Sequence, residues 1–116
     1  MVQQFEHEFL GYGRVPSKCL VRIYSDDGEN YICFKDLGIG TSVTNDSENI
    51  ASQIVNKFNY QPSDCRFFET YDDETFDEIT HNWVYSRNKW VAYSPDWVAY
   101  SPDWKRNNKI KNLFIS

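Results

Sequence analysis

Three sets of residues have types and spacings that could do chemistry. The first is the acidic run Asp72, Asp73, Glu74, Asp77 and Glu78, enough carboxylates for an acid–base pair or a divalent metal. Most of it falls in or beside a polar turn, where a run of like charge is ordinarily just solvated. The second set is Cys65 with His81. A thiolate nucleophile needs a base and an electropositive pocket, and Arg66 adjoins Cys65, but no protease or transferase signature surrounds the pair. The third is Gly38-Ile39-Gly40-Thr41-Ser42, which leads into a helical pattern. It lacks the Lys of a P-loop and the third Gly of a dinucleotide fingerprint. The free N–H groups of that helix start, with the hydroxyls of Thr41, Ser42 and Thr44, still offer an anion contact. A metal centre is not expected. The cysteines Cys19, Cys33 and Cys65 show no CxxC spacing, and His7 and His81 stand far apart. No catalytic set survives, so a non-enzyme without cofactor is expected.

Binding chemistry is better represented. Aromatic residues make up 17% of the chain, and Trp83, Trp90, Trp97 and Trp104 stand seven apart. Residues 1–80 hold 15 acids and 6 bases, whereas 81–116 hold 6 bases (Arg87, Lys89, Lys105, Arg106, Lys109, Lys111) and only Asp96 and Asp103 as acids. A basic, Trp-rich end on an acidic body suits a flat anionic ligand, through stacking and phosphate pairing. It equally suits docking of that end on the acidic body of its own or a neighbouring chain. The formal charge of −5 argues against a protein that coats DNA, and no strand carries the aromatic RNA-recognition signature. The longest apolar run is a few residues, too short to span a membrane, and the first residues lack a basic, apolar leader. Reduced thiols in a cytoplasm are therefore expected.

These side chains need positioning elements. Residues 18–24 (KCLVRIY) and 31–37 (YICFKDL) read as strands of a hairpin turning at Asp27-Gly28. Ile50, Ala51, Ile54, Val55 and Phe58 form one face of a helix over about 45–59, capped by Asn45 with Glu48, or by Ser47. Residues 65–71 and 76–85 read as two further strands, the second setting Ile79, His81, Trp83 and Tyr85 on one face. The expected fold is a single α+β domain: an antiparallel sheet with a β-β-α-β-β core at 18–85 and one amphipathic helix packed on it. Residues 1–17 fit an edge strand or an oligomer-contacting arm. Residues 86–116 form a basic, turn-rich extension in which WVAYSPD occurs twice, at 90–103. Pro95 and Pro102 exclude a helix there, and short WVAY strands joined by SPD turns are predicted. So many aromatic residues in a domain this small also predict a homo-oligomer, at least a dimer.

The segments GTSVTNDSENIASQIVNKF and CRFFETYDDETFDEIT, with Pro-Asp-Trp followed by Lys-Arg at 102–106, resemble a known family. It is the small phage and prophage anti-defence proteins that act as sponges for cyclic ADP-ribose signals, the first anti-Thoeris type. The resemblance implies an oligomer of small α+β protomers in the host cytoplasm that sequesters a cyclic nucleotide without cleaving it. It places ligand pockets between protomers and assigns to them residue types found here at Phe76, Trp83, Arg87, Asn88, Lys105, Arg106 and Lys109. The alternative is an interaction module whose aromatic surface binds a bacterial protein.

Overall fold

The computed structural model describes residues 2–98. They form a six-stranded mixed sheet, curled as a half-barrel around one helix, so the α+β class holds. Strand β1 (Val2–Gly11) lies antiparallel to β2 (Val15–Asp26), and β2 to β3 (Glu29–Ile39). The second hairpin turns at Asp27-Gly28, whose φ values of 53° and 80° are those of a type I′ turn, as the sequence pattern requires. Helix α1 (Val43–Lys57) leads to β4 (Cys65–Thr70), then come β5 (Asp77–Ser86) and β6 (Lys89–Val98). Strand order in the sheet follows the chain order.

Two expectations need correction. The sheet is not wholly antiparallel: β3 and β4 run parallel, pairing from Asn30↔Cys65 to Lys35↔Thr70. A helix that crosses the sheet face returns the chain to the end where β3 began, and this forces the parallel pair. Of the two readings of residues 1–17, the edge strand holds: β1 pairs with β2 from Val2↔Tyr24 to Gly11↔Val15. Finally, the first WVAYSPD copy forms no turn at SPD, because β6 runs through it. Asn82 pairs with Tyr93 and Thr80 with Asp96, so His81 faces both Ser94 and Pro95. That is a β-bulge, with Ser94 at φ 49°, and it is where an edge strand can hold a proline. The second copy, beyond Val98, lies outside the described residues.

The concave face holds the main core. Val21, Ile23, Ile32, Phe34, Phe67 and Ile79 of the sheet pack on Val43, Ile50, Ala51, Ile54 and Val55 of α1, all buried. Each such side chain contributes about 1.5–3 kcal/mol through burial, and Ile54→Ala would cost about 2–5 kcal/mol. The convex face carries a smaller cluster of Tyr31, Cys33, Phe68 and Phe76. The loop at 71–76 closes over that face. Asp73 accepts from Arg22 Nη1 at 2.6 Å and pairs with Lys35, while Phe76 fills the cluster.

The polar stripe of α1, Asn49, Ser52, Gln53 and Asn56, recurs at i, i+3, i+4 and i+7 and reaches both edge strands. On β6, Asn56 Nδ2 donates to the Trp90 carbonyl at 2.8 Å and Asn56 Oδ1 accepts from the Trp90 N–H at 2.9 Å. Ser52 Oγ accepts from the Ala92 N–H at 2.8 Å. The helix thus supplies the hydrogen bonds that another strand would give. On β1, Asn49 Nδ2 donates to the Leu10 carbonyl at 3.3 Å, and Gln53 Oε1 lies 2.6 Å from His7 Nε2.

Candidate functional site

Strands β4 and β5 pair only through Phe67↔Ile79, Phe68↔Glu78 and Glu69↔Asp77. Beyond Ile79, β5 leaves β4 and continues with β6 alone. A cleft of about 440 Å³ opens between them, floored by the turn at Pro62–Asp64. Its walls include Cys65, Arg66, Phe67, Glu78, His81, Trp83 and Trp90. The period-two pattern of β5 puts Ile79, His81 and Trp83 on the concave face, so the strand that forms the core also lines the cleft.

The rings form a contiguous set. Phe67 lies 5.6 Å from His81, edge to face at 88°, and 5.8 Å from Trp83. His81 and Trp83 meet at 5.8 Å and 67°. Among the described residues neither ring nitrogen of His81 has a hydrogen-bond partner, although both are shut off from solvent. Burial alone pushes its pKa down to about 4, so at neutral pH the imidazole is uncharged, with one N–H to donate and one nitrogen to accept. The large majority of buried side-chain polar atoms in folded proteins are paired, which sets this imidazole apart; its nitrogens are covered in this conformation, so a ligand in the cleft meets the ring and reaches a nitrogen only if the ring turns.

The Cys65–His81 pair considered and set aside from the sequence shares this cleft without forming a nucleophilic couple. Burial, only partly offset by the Asn30 amide, pushes the Cys65 thiol up to about 12. Its Sγ donates to the Gln61 carbonyl at 3.5 Å rather than to His81. A protonated thiol beside a neutral imidazole is not an activated nucleophile. Charge within the cleft is balanced: Arg66 Nε and Nη2 donate to Glu78 Oε2 and Oε1 at 2.8 and 2.7 Å. Flat apolar walls, a neutral hydrogen-bonding ring and a closed ion pair suit an uncharged aromatic heterocycle.

The residues singled out from sequence are distributed differently. Trp83 is in the cleft wall. Phe76 is buried on the convex face, so it and Trp83 lie on opposite sides of the sheet. Arg87 and Asn88 are the exposed two-residue turn joining β5 and β6, with φ of 53° and 64°. Lys105, Arg106 and Lys109 lie outside the described residues.

The helix start is already occupied by the chain itself. Its N-cap is Ser42, accepting from Asn45 N–H at 3.3 Å, in place of the expected Asn45 or Ser47, because the helix begins at the buried Val43, two residues before the expected start at about 45. Asp36 Oδ2 accepts from Val43 N–H at 3.0 Å, and Thr41 Oγ1 donates to Asp46 at 2.6 Å. Thr44 Oγ1 donates to Glu69, whose pKa burial pushes up. Three carboxylates therefore surround Thr41, Ser42 and Thr44.

The acidic run is likewise engaged. Asp72 Oδ1 accepts from the N–H groups of Glu74 and Thr75, Asp73 holds Arg22 and Lys35, and Glu78 holds Arg66. Among the described residues, no three His, Cys, Asp or Glu side chains are grouped to hold a metal ion. Sequence reasoning missed Phe67 and Trp90 as site residues. The available signal was a histidine within the apolar alternation Ile79, His81, Trp83. No known protein family matches this chain, and comparison with curated proteins and with solved structures finds no match.

Proposed function

We propose that this protein captures a small nucleotide and holds it without turning it over, the heterocycle entering the cleft between β4 and β5. The observation that supports this best is the set of rings Phe67, His81, Trp83 and Trp90 in the walls of that cleft, with His81 neutral and unpaired among the described residues. Stacking contributes about 1–3 kcal/mol per base, and a turn of the His81 ring that brings a nitrogen to the cleft surface adds a hydrogen bond. A sponge must hold its signal at roughly nanomolar affinity, about −12 kcal/mol. Most of that total must come from charge-assisted contacts to phosphates. Arg87 and Lys89, at the tip of the β5–β6 hairpin, are the basic groups in line for this role, with Lys105, Arg106 and Lys109 completing it. The ligand that the family resemblance implies is a cyclic ADP-ribose isomer, bound by an assembly of at least two copies in a host cytoplasm.

A melting panel of cyclic ADP-ribose isomers and unrelated cyclic nucleotides tests the reading. One isomer is expected to raise Tm and to be recovered intact after the protein is denatured. A cleaved product would make the protein an enzyme. A panel without any shift would leave the alternative, an interaction module that presents the exposed Val84, Tyr85 and Tyr93 of the hairpin to a protein.

A further inference from the structure

Among the described residues the two edges of the sheet are unequally closed, and the less closed one, β1, has a definite chemistry. In β1 the closing pair Gly11↔Val15 turns the backbone of odd-numbered residues toward β2. The even-numbered residues Val2, Gln4, Glu6, Glu8 and Leu10 therefore point their N–H and C=O groups away from the sheet. Of those groups, only the Leu10 carbonyl has a partner among the described residues. Side chains of the same even residues lie on the convex face, where Gln4 reaches Arg22 and Glu8 reaches Lys18 at 3.5 Å. Glu6 is exposed and has no cation beside it among the described residues. Next to the Leu10 end, a cleft of about 590 Å³ is bounded by Leu10, Pro16 and Ile39; Leu10 and Ile39 are 55% and 46% exposed.

We propose that the edge of β1, open among the described residues, is a docking site for an extended basic segment of a partner protein, added as a seventh, antiparallel strand. Main-chain bonds to the even residues give affinity, and side chains directly opposite them give specificity. Lys or Arg stands opposite Glu6 and Glu8, and an apolar side chain opposite Leu10 enters the cleft. A second copy of this chain is a poor occupant. Even residues must face even residues, and the two antiparallel registers of longest overlap set Glu6 against Glu6 or Glu6 against Glu8. Like charges directly opposite are destabilising, so this edge resists pairing with itself while favouring a basic strand.

The test uses the full chain and a fluorescent probe peptide, Leu-Thr-Lys-Val-Lys-Thr-Gln, read by anisotropy. Methylating the two lysine backbone nitrogens, which face β1, is expected to abolish binding, whereas methylating the intervening Thr and Val nitrogens leaves it unchanged. Replacing both probe lysines with Glu should weaken binding by about tenfold. The double variant Glu6→Lys, Glu8→Lys should reverse that preference in a chain that still unfolds cooperatively, at a Tm a few degrees lower because Glu8→Lys sets a like charge opposite Lys18. Equal binding of the two methylated series, indifference to the charge reversal, or no binding up to millimolar probe would overturn the proposal. So would a dimer of the parent chain that the double variant dissociates, since the edge would then be a self-interface.

Discussion

The two edges of this sheet meet the same helix stripe with different results. Asn56 engages both the N–H and the C=O of Trp90, and Ser52 takes the Ala92 N–H, so the β6 edge is closed by side chains. Asn49, two turns earlier, reaches a single carbonyl of β1 at 3.3 Å. The same residue type thus does the work of a strand at one edge and provides a lone tether at the other. Closing β6 fixes the β5–β6 hairpin over the helix and holds Trp90 and Trp83 at the cleft. Among the described residues the glutamate-lined β1 edge has no comparable closure.

The largest effect that separates the edges is stability. Asn56→Leu leaves both backbone groups of Trp90 without partners in a half-buried place, and should cost about 2–4 kcal/mol in urea unfolding. Asn49→Leu should cost under about 1 kcal/mol, because water can serve the Leu10 carbonyl. Equal losses would remove the distinction between the edges.

Acid sharpens the comparison on the closed side. His81 has a folded pKa of about 4, against an ordinary value near 6.5, because burial disfavours its charge. The unfolded chain then binds the proton more readily, so stability is fully present above about pH 6.5 and falls as pH drops toward 4. The expected loss is on the order of 2–3 kcal/mol. His81→Leu should flatten the pH dependence of Tm across that window. An unchanged slope would place the histidine in water rather than among the rings.

The smallest change concerns the hairpin tip. Arg87 and Asn88 both adopt positive φ, which Asn-Gly adopts more readily. Arg87→Asn with Asn88→Gly should add up to about 1 kcal/mol of stability. If Arg87 pairs with a ligand phosphate, the same variant weakens nucleotide binding by about 1.5–3 kcal/mol. A gain in stability with unchanged affinity would assign Arg87 to the turn alone.

What the sequence disclosed follows the range of the forces involved. The Asp27-Gly28 turn and the apolar face from Ile50 to Phe58 are local, and both were legible. The parallel β3–β4 pair was not, because strand direction there depends on where a long crossover returns the chain. Pro95 read as a turn, since only the cross-strand register reveals the bulge that admits it. Phe76 and Trp83 looked equivalent as ligand-contacting types implied by the family resemblance, yet the sheet puts them on opposite faces. His81 lay in an evident apolar alternation, but only the departure of β5 from β4 puts its ring in a cleft wall, with its nitrogens unpaired among the described residues.

The central claim is that this cleft binds a heterocycle without transforming it. Calorimetric titration of cyclic ADP-ribose isomers into the parent chain, Trp83→Ala and Trp83→Phe tests it most directly, with the bound ligand recovered afterwards on denaturation. The account predicts saturable binding by the parent, a loss of about 1–3 kcal/mol in Trp83→Ala, substantial retention in Trp83→Phe, and intact ligand. No heat of binding, affinity indifferent to Trp83 in both folded variants, or a cleaved product would contradict it.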